Sequence, residues 1–193
     1  MINRPNDWDN VKAAGDFETL PVGAYKIKIN AVKIQDNSDK GYSNQLLLQY
    51  DIAEGEYAGF YKRQYDANNS EDRKYKGIYR VYLPKDDGSE QDSWTKSKFK
   101  AVTNAFEDSN NDYVWDWDEQ KLKGLVVGAV FNQKEYDFNG KHGFFTNLYK
   151  LIPISEIATA KIPEPTKLKE STSSSDNSFM NVPSGIDDEV PFN

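Results

Sequence analysis

Ala24-Tyr25-Lys26-Ile27-Lys28-Ile29-Asn30-Ala31-Val32-Lys33-Ile34-Gln35 is the stretch that decides the fold. Tyr25, Ile27 and Ile29 alternate with Lys26, Lys28 and Asn30, the period of a half-buried strand with one polar face. The alternation slips near Ala31, because Val32 and Ile34 carry it onward, and this predicts a bulge or strong bend there. Turn residues from Asp36 to Ser43 then lead into a second strand, Gln45 to Ala53, closing a hairpin.

The same reading extends to both sides of the hairpin. Gly55-Glu-Tyr-Ala-Gly59 is a turn, and Phe60 to Tyr65 begins a third strand that breaks into a polar loop, Asp66 to Lys76, before Ile78 to Leu83 resumes it. Pro84 to Gln91 connects to a helix capped by Asp92 or Ser93 and running to about Glu107. Its apolar set of Trp94, Phe99, Val102, Ala105 and Phe106 has helical spacing. Leu122 to Tyr136 reads as a strand, and Phe138-Asn-Gly140 turns tightly into a last strand, Phe144 to Ile152. Five strands with one helix between the third and fourth is the order of a five-stranded OB-fold barrel, whose strand 2 to 3 face and neighbouring loops bind oligonucleotides or oligosaccharides. The expected class is mainly β, with residues 1–160 as one domain and 161–193 as a flexible acidic tail, since Ser171 to Ser178 and their surroundings lack the apolar residues to fold.

Composition excludes several functions. With no cysteine and a single histidine, His142, the chain has neither a disulfide nor a thiolate or histidine-cluster metal site. No stretch reaches the roughly 18 apolar residues of a membrane helix, and the N-terminus lacks a signal-peptide core, so a cytoplasmic protein without membrane attachment is expected. No phosphate-cradling Gly-rich loop, nucleophile elbow or metalloprotease motif is present, which predicts neither enzyme activity nor cofactor. Asp116 and Asp118 in Trp115-Asp-Trp-Asp118, and Asp7-Trp8-Asp9, have the form of a magnesium-carboxylate pair but lack further ligands. Trp8 and Trp115 are better explained as anchors packing terminal segments onto the domain.

Net charge is −7 over 193 residues, which is opposite to the global footprint of a nucleic-acid binder. Locally the charge divides. Tyr61 to Lys85 holds seven cations and three acids, whereas Glu107 to Glu119 holds six acids and no base. Single-strand binding needs cations for phosphates and aromatic rings for stacking. The candidate DNA-binding residues are Tyr61, Lys62, Arg63, Tyr65, Lys74, Arg80, Tyr82, Lys134 and Tyr136. Tyr61, Arg63 and Tyr65 form the best single row if their strand is regular. Tyr79 and Tyr82 lie on opposite faces, and Arg80 shares the face of Tyr82.

The C-terminal end, Asp187-Asp188-Glu189-Val190-Pro191-Phe192-Asn193, resembles the C-terminal peptide of bacterial and phage single-stranded-DNA-binding proteins, an acidic run followed by an aliphatic residue, Pro and Phe. That family ends on Phe, whereas Asn193 follows Phe192 here. Asp7 to Asn10, Leu20 to Tyr25 and Gly55 to Gly59 are similar to segments of a phage replication-module family of single-strand binders. The resemblance implies an OB-fold that coats single-stranded DNA in replication, recombination or repair. It also implies a tail that recruits partner proteins through Asp187, Asp188, Glu189, Val190, Pro191 and Phe192, and the chain is a possible homo-oligomer. Two alternatives stay open: an interaction module of a replication complex that does not grip DNA, and a carboxylate-metal nuclease using Asp116 and Asp118.

Overall fold

The computed structural model describes residues 18–138 and 140–168 together with positions 3, 4, 6 and 8. The tip, Asp187 to Phe192, lies outside the described residues. Five strands form one antiparallel sheet: β1 (Gly23–Gln35), β2 (Gln45–Ile52), β3 (Ile78–Tyr82), β4 (Val126–Phe138) and β5 (Lys141–Ile152), in the order β3-β2-β1-β4-β5. Two α-helices interrupt them, α1 (Phe60–Ala67) and α2 (Glu90–Ser109). Among the described residues no helix is long and apolar enough to cross a membrane.

The slip read near Ala31 is a β-bulge. Ile29 pairs with Tyr50 and Ala31 with Gln49, leaving Asn30 as the extra residue. The bulge keeps Ile27, Ile29 and Val32 all pointing inward, where they join Leu46, Leu48, Val127, Ala129 and Phe131 in one core. Helix α2 closes that core with Phe99, Val102, Ala105 and Phe106. Its start lies earlier than the sequence suggested: the Ser89 side chain accepts the Asp92 amide at 3.1 Å and is the cap. Asp92 has another task. Its Oδ1 accepts the amides of Lys85 and Asp86 at 2.8 and 3.0 Å, so it fixes the loop entering the helix. Trp115 packs edge-on against Phe99, as an anchor should, whereas Trp8 is 59% exposed.

Two expectations are corrected. Residues 60–65 are helix, the first turns of α1. Gly59 takes a left-handed backbone at φ 70, and the carboxylate of Asp51 on β2 accepts the amides of Tyr61 and Lys62, both at 2.9 Å. A helix N-terminus leaves such amides unpaired, and an acid held in place from another element satisfies them as a local cap would. The second correction is that the sheet does not close into a barrel. β3 has only five residues, and β3 and β5 remain its two edges. Instead the segment Glu18 to Leu20 links α1 to β5: Glu18 binds Arg63 at 2.8 Å and accepts from Gln64 through its carbonyl, while the Leu20 carbonyl accepts from Thr146. Leu20 itself is buried.

The chain beyond residue 160 is not all tail. Thr166 forms a parallel bridge with Lys134, with its amide bonded to the Gln133 carbonyl at 2.8 Å and its carbonyl accepting from Glu135 at 2.9 Å. β1 begins opposite Phe131, so this segment takes up the edge of β4 that β1 leaves unpaired.

Candidate nucleic-acid interface

Residues paired across an antiparallel ladder point to the same side of the sheet, so the register sorts every strand residue to one of two faces. The inward face is the core. The outward face carries Arg80 and Tyr82 on β3, Lys33 and, before the bulge, Lys26 and Lys28 on β1, Lys134, Tyr136 and Phe138 on β4, and Lys141, Phe145 and Lys150 on β5. Seven cations thus share one face. Among the described strand residues its sole acid is Asp51, whose carboxylate is engaged by α1 and by the Tyr75 hydroxyl at 3.0 Å. Beyond the strands, Glu54 pairs with Lys26 at 3.1 Å, and the overall charge of −7 hides the segregation along the strands themselves.

The face is not uniformly open. At Gly128 the chain folds back, so that a Cβ there would meet the Ile152 carbonyl at 2.8 Å and that of Pro153 at 3.0 Å. Asn132 is buried, donating to the Glu164 carbonyl at 3.2 Å and the Thr166 hydroxyl at 3.0 Å. This splits the surface into a strand region around Lys28, Arg80 and Tyr82 and an arm, the outer half of the β4–β5 hairpin.

On the arm the outward face brings together Tyr136, Phe138 and Phe145 between Lys134 and Lys141. Phe138 is 71% exposed. The Tyr136 ring lies 6.3 Å from Phe145 and over Gly143, where a Cβ would stand 2.9 Å from its hydroxyl. Glycine opposite an aromatic residue lets the ring lie down on the sheet and present its face. The other face of the arm is of opposite character, with Glu135, Asp137 and the His142–Asp137 pair at 3.4 Å. An exposed aromatic row with lysines and no acid offers stacking surfaces and phosphate partners together.

The residues singled out from sequence divide. Arg80, Tyr82, Lys134 and Tyr136 all lie on the outward face. Tyr61, Arg63 and Tyr65 do not form a row, because they sit on a helix. Tyr61 is buried against Tyr50 and Phe60, and burial pushes its hydroxyl up to about 12. Arg63 is held by Glu18, Lys62 pairs with Asp66 at 2.7 Å, and Arg73 covers the Tyr65 ring at 4.6 Å. Lys74 is exposed in the loop before β3. Lys26, Lys28, Lys33 and Lys150 were missed as candidates, although the polar half of the β1 alternation already carried the first two. Asp116 and Asp118 both reach Lys121, which holds the Asp116 carboxyl below its ordinary range, and no group of three or more metal-binding side chains is found among the described residues. Comparison of the chain with protein-family models and with curated proteins finds no match.

Proposed function

We propose that this protein binds single-stranded DNA without sequence preference, in the replication, recombination or repair of a phage-type module, and recruits partner proteins through its acidic C-terminal tip. The observation that carries this reading is the outward sheet face, where seven cations, one of them (Lys26) paired with Glu54, and four aromatic residues stand with one engaged acid among the described strand residues. Phosphates pair with the lysines and Arg80, releasing counterions, and bases stack on the arm. The strand order, with α2 between β3 and β4, agrees with an OB-fold opened between its third and fifth strands. The rooting of residues 164–168 on β4 supports the role of the tail, since the acidic end then starts its path beside the arm. In competition with DNA the tail occupies the cationic face.

The test compares labelled oligo-dT with a duplex of the same length by fluorescence anisotropy. Unpaired bases alone can stack on Tyr136 and Phe138, so the single strand binds at least about tenfold more tightly. Equal affinity reduces the face to a general polyanion site. Binding of neither points to the alternative, an interaction module of a replication complex.

A further inference from the structure

The acidic run Glu107 to Glu119 carries an exposed aromatic edge of its own. Trp117 is 76% exposed and Val114 73%. The indole runs nearly parallel to Phe99, with ring centroids 6.2 Å apart at 22°, and lies edge-on to Trp115 at 6.0 Å, so two rings orient it while it stays largely exposed. Trp117 also has φ 70, a left-handed backbone that a bulky side chain rarely adopts. Its neighbours hold it there: the Asp118 amide donates to Asp116, and Lys121 reaches both carboxylates. A large indole is thus fixed outward between two anions, with Asp112 nearby in sequence and exposed.

A ring flanked by anions is the chemistry of a nucleotide strand, and the arm is built for rings and anions. Its outward face offers Tyr136, Phe138 and Phe145 with Lys134 and Lys141 and no acid. Charge complementarity therefore exists between two surfaces of the same chain. We infer that the Trp117 edge of one molecule docks on the arm face of a second copy, so that self-association and single-strand binding exclude each other. This rests on the arm being the strand site. The contact joins two different patches, so it either closes reciprocally in a dimer or propagates along a row of copies.

Sedimentation velocity of the full chain, over a concentration series with and without a short oligo-dT, tests the contact. The expected result is a weight-average mass that rises with protein concentration at low salt and returns to the monomer when oligo-dT saturates the protein. Trp117→Ala stays monomeric at every concentration and binds oligo-dT at least as tightly as the natural chain, while Phe138→Ala loses association and weakens strand binding. A natural chain that is monomeric throughout overturns the inference, as does self-association that neither Trp117→Ala nor oligo-dT reduces. If the natural chain does not bind oligo-dT but Trp117→Ala and Phe138→Ala both abolish its association, the strand-binding reading fails and the contact between copies stands.

Discussion

Asp51 on β2 holds the first turn of α1 from ten residues upstream, its Oδ1 accepting the Tyr61 amide at 2.9 Å while Oδ2 takes the Lys62 amide and the Tyr75 hydroxyl. The carboxylate is buried, so every bond it loses leaves a donor without water. Asp51→Asn keeps one accepting oxygen and places an amide donor against donors. The expected cost is on the order of 2–4 kcal/mol of unfolding free energy, read by urea titration. A loss below about 0.5 kcal/mol, within the range of ordinary surface substitutions, contradicts this account of the helix.

The arm predicts a separation of binding from stability. Phe138 is largely exposed, so Phe138→Ala leaves the urea midpoint nearly unchanged while weakening oligo-dT by about 1–3 kcal/mol, roughly five- to 150-fold. Gly143→Val displaces the Tyr136 ring, whose hydroxyl lies where the new side chain must go, and weakens binding in the same direction. Anisotropy and urea titration on the same samples decide whether either substitution acts through folding.

Truncation must respect where the tail is rooted. A chain ending at Leu168 keeps the Thr166 bridge to β4 and removes five acids and one lysine of the tail, so it binds oligo-dT more tightly than the full chain at low salt. A chain ending at Ala160 also loses the bonds to Gln133, Glu135 and Asn132, and its arm exchanges amide hydrogens faster. Unchanged or weaker binding by the chain ending at Leu168 removes the competing role of the tail.

Acid stability follows from Asp92. The Lys96 ammonium and the amides of Asp86 and Lys85 hold its carboxyl below its ordinary value of 3.8. A carboxyl depressed in the folded state stabilises above that ordinary value, and the stabilisation is lost as pH falls through the folded value. Asp36 and Asp87 are depressed as well, each mainly by a serine hydrogen bond. The urea midpoint is therefore expected to hold from neutrality to about pH 5 and to fall below about pH 4. Asp92→Asn lowers the midpoint at neutral pH and flattens this acid decline.

Much of this was legible in the chain. The β1 alternation and its slip, the close of the last hairpin at the Phe138–Lys141 pair and the helical spacing from Trp94 to Phe106 each rest on contacts close in sequence, and all three appear where they were read. Phe60 to Tyr65 misled because its helix is capped by Asp51, an acid that only the fold brings near. The candidate face was half legible for a related reason. Arg80 with Tyr82, and Lys134 with Tyr136, follow from alternation within single strands, but whether Lys28, Arg80 and Lys134 point the same way depends on register across four strands and on the bulge at Asn30.

The most direct test of the account is the salt dependence of oligo-dT binding by the full chain. With four to five of the outward cations on phosphates, the logarithm of affinity should fall linearly with the logarithm of salt at a slope of about −3. The Lys28→Gln, Arg80→Gln double variant should make the slope shallower by about one or more. Absence of binding at low salt, or an affinity that salt leaves unchanged, contradicts the claim that this face holds single-stranded DNA.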